Sequence, residues 1–197
     1  MRFRQQTAPA KTHRLPNELG RNINVTQTGQ KMTIYEGKLN SEIQGRIAII
    51  VAKFNQTITE RLLQGALKKF AEIGISEEKI DVFRVPGAFE IPTVSGKLVQ
   101  KSEYAGVLAL GAVIKGETSH DEHINRAVSL MFAEQGARSG KPVLFGVLTC
   151  NTVEQALARS AFDDTAHDKA QKAHLGNKGA DCAEALVEML DLLKQVG

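Results

Sequence analysis

From Gly45 onward the chain alternates unbroken apolar runs with stripes of helical period. The segment Ile47 to Lys53 opens with six consecutive apolar residues, the composition of a strand buried on both faces. Ile58, Leu62, Leu63, Ala66, Leu67, Phe70 and Ile73 then share one helical face, and Gly74 supplies the stop. The alternation repeats. Ile80 to Val85 is a second strand ended by Pro86 and Gly87, and a helix starts near Pro92, a residue tolerated in a first turn. Gly106 to Ile114 is a third strand, followed by a helix with Ile124, Ala127, Val128, Met131 and Phe132 at i, i+3, i+4, i+7 and i+8. Gly140 and Pro142 punctuate the entrance to a fourth strand, Val143 to Leu148. Asn151 or Thr152 caps the next helix, with Glu154 placed three after Asn151 as in a capping box. A last helix carries Leu186, Met189, Leu190 and Leu193 on one stripe. Four strands joined to helices by right-handed crossovers predict an α/β fold: a three-layer α/β/α sandwich with a four-stranded parallel sheet, flavodoxin-like.

The start of the chain lacks either period. Ile34 to Leu39 predicts a short strand, and residues 1–31 are polar and contain Pro9 and Pro16, which predicts a disordered extension ahead of one domain at 32–197. The extension is Arg-bearing and acid-poor like a transit peptide, but a plain tail or an upstream start fits it better.

Composition narrows the function classes. The net charge of +3 is concentrated in that extension, where Arg2, Arg4, Lys11, Arg14, Arg21 and Lys31 face only Glu18, so the folded part is mildly acidic. With no basic stripe, 5% aromatics and no Trp, a nucleic-acid partner is not expected. Cys150 and Cys182 have no metal-type or C-x-x-C spacing, so reduced thiols in a cytoplasmic protein without a metal site are expected. His167 and His174 are seven apart but lack further ligands, and no metal is assigned to them. The apolar runs are too short to span a membrane.

The candidate chemistry lies where strands end. After Ala112, Val113 and Ile114 the chain turns through Gly116, Glu117, Thr118 and Ser119 into a helix opened by His120. Backbone N–H groups at such a helix start bind anions, and an imidazole beside them moves protons near neutral pH. Phe54 ends the first strand, where its ring can stack on a flat ligand or simply fill core. The VPGAFEIP segment, Val85 to Pro92, holds Ala88, Phe89 and Glu90 between two prolines, with Glu90 either a ligand contact or a solvated loop charge. Phe145 and Arg159 lie on the last strand and the helix after it, and LGNKGAD, Leu175 to Asp181, places Lys178 between two glycines. Taken singly, each has an ordinary structural use, Arg159 as a surface cation included.

In order, FN at Phe54 and Asn55, PGAFEIP at Pro86 to Pro92, GAVIKGETSH at Gly111 to His120, LFGVLTCNTVEQA at Leu144 to Ala156 and GNKG at Gly176 to Gly179 resemble the 6,7-dimethyl-8-ribityllumazine synthase family. The match runs from about Ile34 to Val196, and five motifs in one order are far more specific than any one. The resemblance implies condensation of 5-amino-6-(D-ribitylamino)uracil with 3,4-dihydroxy-2-butanone 4-phosphate, releasing phosphate and water on the way to riboflavin, with no metal or organic cofactor. It implies that Phe54 stacks on the pyrimidine, that Ala88, Phe89 and Glu90 hold the pyrimidine and ribityl chain, and that Ala112, Val113 and Ile114 line the same pocket. Glu117 and Thr118 match the phosphate-contacting turn, His120 the proton-transfer residue, Arg159 the phosphate-binding cation and Lys178 a lysine near the substrate ring. Phe145 matches an aromatic that a neighbouring subunit contributes. The implied assembly is a homo-oligomer, a pentamer with a 60-subunit shell left open, and riboflavin synthase is a candidate partner.

Several positions depart from the pattern. AFDDTAHDKAQKAHL, residues 161–175, is longer than the family's link, and Asp121 and His123 stand where aromatics are expected. Asp181 falls where an acidic partner for Arg159 or the phosphate-site lysine is expected, and His174 takes that lysine's place. Two rival readings keep the fold without turnover: a shell-forming or riboflavin-binding protein, and a flavin-binding module. The second lacks the hydroxyl-rich turn after the first strand and any G-x-G-x-x-G.

Overall fold

The computed structural model describes residues 31–162 and 176–197, together with the backbone of two short strands at 14–15 and 22–25. Strands β1 (Arg14–Leu15), β2 (Asn22–Val25) and β3 (Lys31–Ile34) pair antiparallel in that order. The rest of the extension expected over 1–31 lies outside the described residues. The strand expected from Ile34 to Leu39 is displaced: β3 ends at Ile34, and the segment after it is held along the last helix instead. There Asp191 accepts from the Lys38 N–H at 2.9 Å and Gln195 donates to the Glu36 carbonyl at 2.9 Å. Side chains satisfy backbone groups that a sheet neighbour would otherwise pair.

The main sheet contains β4 (Arg46–Ala52), β5 (Ile80–Val85), β6 (Tyr104–Ile114) and β7 (Val143–Cys150), parallel throughout and ordered β5-β4-β6-β7. Between and after them run α1 (Gln56–Ile73), α2 (Ile91–Leu98), α3 (His120–Ser139), α4 (Val153–Ala158) and α5 (Lys178–Val196). This is the expected three-layer α/β/α sandwich. The apolar run at β4 is used on both faces, because side chains alternate along a strand. Ile47, Ile49 and Val51 face Leu62, Phe70, Leu186 and Val187, while Ala48, Ile50 and Ala52 face Ile91, Val128 and Phe132.

Of the two caps expected for α4 one is used, and the α5 stripe differs from the sequence pattern. Thr152, not Asn151, caps α4: its Oγ1 accepts from the Gln155 N–H at 3.3 Å, and Gln155 Oε1 accepts from the Asn151 N–H at 2.9 Å. The T-x-x-Q spacing therefore replaces the Asn151 and Glu154 pairing. On α5 the inward stripe is Gly179, Ala183, Leu186 and Val187, and Met189 is exposed. The helix is rotated so that its smallest residues meet α1, where a Cβ on Gly179 would strike the Leu62 carbonyl.

Candidate active site

The carboxyl ends of β4, β5 and β6 open onto one cleft of about 520 Å³. Phe54, Pro86 to Glu90, Ala112 to Ile114, Gly116, Thr118, His120, Asp121 and Ile124 form its walls. Three motifs far apart in sequence thus share one space, at the sheet edge where open α/β folds place ligands.

Local bonds set each wall. The N–H groups of Lys53 and Phe54 bond to the carbonyls of Val85 at 2.8 Å and Pro86 at 3.0 Å, tying the turn after β4 to the loop after β5. Asn55 then adopts a left-handed conformation with φ 59°, which asparagine tolerates better than most residues, and its Nδ2 donates to the Ala112 carbonyl at 2.9 Å. That bend leaves Phe54 71% exposed at the cleft. After β5 the chain makes a short 3-10 turn, Ala88–Glu90, with Ala88 buried on Gly111, where an added Cβ would crowd Val147 and approach Ala88. Phe89 and Glu90 are exposed, and the Glu90 carboxylate lies near the Gly87 backbone.

The β6 to α3 turn supplies the titratable group. Ser119 precedes α3 without a side-chain cap bond, and the Glu122 N–H bonds to the Ser119 carbonyl at 3.1 Å, so the N–H groups of His120 and Asp121 face an outside acceptor. His120 is exposed as the first helical residue, and its N–H makes only a long 3.5 Å contact with Thr118 Oγ1. An oxyanion and an imidazole can meet here without a cation from this segment. Behind the wall, Asp121 Oδ1 and Asn125 Oδ1 are buried without a hydrogen-bond partner.

Comparison with known proteins now decides the family. The family model for 6,7-dimethyl-8-ribityllumazine synthase matches residues 44–194. Proteins of that name from Rhodopirellula baltica and Pediococcus pentosaceus are 45% and 46% identical over 161 residues, covering 82% of this chain and 97% and 96% of theirs. The one from Lactiplantibacillus plantarum is 41% identical over 165 residues, 84% of this chain and 96% of its own. The chain belongs to the lumazine synthase family.

Not every residue matched to the lumazine synthase pattern reaches the cleft. Phe54, Ala88, Phe89, Glu90, Ala112, Val113, Ile114, Thr118 and His120 line it, whereas Glu117 is exposed beside it and Phe145, Arg159 and Lys178 lie elsewhere. Phe145 pairs in register with Ala109, five residues before the Ile114 and Cys150 pair, which sets it about 16 Å back along the sheet at 3.3 Å per residue. It is 40% exposed and meets Phe132 edge-on at 5.9 Å. Arg159 ends α4, with Nη1 donating to the Gln155 carbonyl at 3.1 Å. Lys178 pairs with Asp181 at 2.6 Å. The stretch 163–175, which contains His167 and His174, lies outside the described residues.

The remaining chemistry is quiet. Burial pushes the Cys150 thiol up against the opposing field of Arg159, and pushes Cys182 up to about 11, so both stay protonated at neutral pH. Among the described residues no three His, Cys, Asp or Glu side chains gather as a metal site, and no helix is long and apolar enough to cross a membrane. Sequence reasoning took Asn55 only as part of a motif. Its signal was available, since asparagine after a buried strand suits a left-handed turn.

Proposed function

We infer that the chain is a transferase that condenses 5-amino-6-(D-ribitylamino)uracil with 3,4-dihydroxy-2-butanone 4-phosphate to form 6,7-dimethyl-8-ribityllumazine. The observation that carries the reading is the meeting of Phe54, the Ala88–Glu90 turn, the end of β6, Thr118 and His120 around one cleft. Phe54 covers the pyrimidine, Phe89 and Glu90 take the polar edge and ribityl chain, and Ala112 to Ile114 form the apolar floor. The turn at Glu117 and Thr118 receives the phosphate through backbone N–H groups, because the Glu117 carboxylate would repel a dianion.

The amine of the uracil attacks the ketone to give an imine with loss of water. Phosphate then leaves by elimination, and the ribityl-bearing amine nitrogen closes the new ring on the remaining carbonyl with loss of a second water. Each step moves a proton that His120 is placed to carry. Holding two reactive molecules in register contributes much of the acceleration, so the imidazole adds a modest factor. His120→Ala should retain measurable turnover; complete loss in a folded variant contradicts the modest role. Mixing the two substrates and following lumazine formation together with released phosphate tests the activity itself. No product from the wild-type chain would return the reading to a ligand-binding or shell protein.

The cleft is incomplete in one chain. Phe145, Arg159 and Lys178 border or follow the edge strand β7 and do not line their own chain's cleft, so a neighbouring copy supplies them in this reading. A homopentamer is the assembly proposed. The exposed apolar residues Leu130, at 64%, and Met131 on α3 support such a contact. A 60-subunit shell and a complex with riboflavin synthase belong to the same reading, as does a cytoplasmic location, and particle mass separates pentamer from shell.

A further inference from the structure

We propose that Asn177 is a positioning residue for Arg159, clasping the chain on either side of residues 161–175 so that the phosphate-binding cation is fixed. The proposal rests on the reading of Arg159 given above and extends it to a residue without an assigned role. Asn177 is 9% exposed, and its carboxamide uses its whole bonding capacity. Nδ2 donates to the Arg61 carbonyl on α1 at 2.8 Å and to the Ser160 carbonyl at 3.2 Å. Oδ1 accepts from the N–H groups of Gly179 at 3.0 Å and Ala180 at 3.2 Å, capping α5. Two donors and two acceptor positions are all that an amide offers.

One of these bonds, to Ser160, reaches the segment that carries Arg159, and the other three tie Asn177 to α1 and α5. Ser160 and Asn177 form an isolated antiparallel bridge, the Lys178 N–H bonds to the Arg159 carbonyl at 2.9 Å, and the Gly176 N–H bonds to the Ala158 carbonyl at 3.2 Å. Backbone on both sides of Arg159 is therefore anchored to the start of α5, and through Arg61 to α1. The surface of α1 is notched to admit the amide: a Cβ on Gly65 would overlap the Asn177 carboxamide. An N-cap alone needs only the oxygen. The two donor bonds, which contribute nothing to the cap, are the part that locates Arg159.

Asn177→Asp keeps the cap acceptor and removes both donors. We expect about a tenfold rise in KM for the butanone phosphate, with kcat and KM for the uracil within about twofold of wild type. In an Arg159→Ala background the same change should add nothing further, because the group it positions is gone. Asn177→Ser retains a capping oxygen too short to clasp Ser160, and is used if the aspartate variant does not fold. Inhibition by inorganic phosphate gives a second readout and should weaken in parallel. An equal effect of Asn177→Asp with and without Arg159, or a uniform loss across both substrates, overturns the positioning role alone. An unchanged KM in Arg159→Ala by itself overturns the parent reading of Arg159 and this inference with it.

Discussion

Helix α1 buries Ile58, Thr59, Leu62, Leu63, Gly65, Ala66 and Phe70 along its inner side, whereas the longer α3 buries only Val128 and Phe132. The α1 and α5 layer closes on itself: backbones approach at Gly65 and Gly179, and the one buried amide between them is fully bonded. The opposite layer leaves Leu130, Met131 and Phe145 exposed and two buried oxygens without donors. One chain completes the first layer, and in the proposed assembly a second copy completes the other. The cleft borders the open layer, where in that assembly the second copy would complete it.

The largest effect should come from filling the closed layer. Gly179→Val drives a branched side chain into the Leu62 carbonyl, and backbone yields less than side chains, so a loss of at least about 3 kcal/mol is expected in the urea midpoint. Leu130→Ser on the open layer should change the stability of the isolated chain by less than about 0.5 kcal/mol. Equal losses at the two positions would abolish the distinction between the layers.

Charging the open face tests its proposed use. Leu130→Asp with Met131→Asp should reduce particle mass by light scattering and cut turnover by about tenfold or more, since a buried unpaired carboxylate is strongly unfavourable. Retained mass and activity would mean that this face is not a contact. Arg159→Ala is the next step down. A charge-assisted bond of about 1.5 to 3 kcal/mol corresponds to a rise of roughly ten- to a hundredfold in KM for the butanone phosphate. An unchanged KM removes Arg159 from the site.

The comparison also explains what the sequence made legible. Apolar period placed all four strands of the main sheet and α1 to within a residue or two, because elements buried on their own chain write their environment into their residues. The cleft was legible through motifs at strand ends. The α5 stripe was misread at Met189, since small residues chosen for backbone approach, Gly179 and Ala183, carry little hydrophobic signal. Asn177 was legible only inside the GNKG motif for a related reason: its cap partners are local, but its partners Arg61 and Ser160 lie in other segments that no local pattern encodes. The strand expected at Ile34 to Leu39 failed because side chains of α5, over 150 residues away, bind that backbone.

The smallest expected effect concerns how the open layer is fastened at the amino end of the sheet. Arg46 grips Asp81 through two bonds, at 2.6 and 2.5 Å, and the Tyr104 hydroxyl donates to the same carboxylate at 2.9 Å. Those bonds, the guanidinium first, hold the Asp81 carboxyl below the usual carboxylate range, while burial and the Asp81 contact push Tyr104 up to about 12. A carboxyl whose pKa is lower folded than unfolded contributes stability above its unfolded value, and that contribution disappears as pH falls through the folded value. The wild-type chain should therefore lose a little stability on acidification below about pH 4, a loss kept small by partial exposure of the pair. Asp81→Asn should be slightly less stable at neutral pH and flatter in that acid range. Parallel urea midpoints for the two chains between pH 2 and pH 6 would show that the Arg46, Asp81 and Tyr104 fastening carries none of the acid sensitivity, leaving the open layer to its apolar contacts and the Gln135 bonds to Ser95 and Pro92.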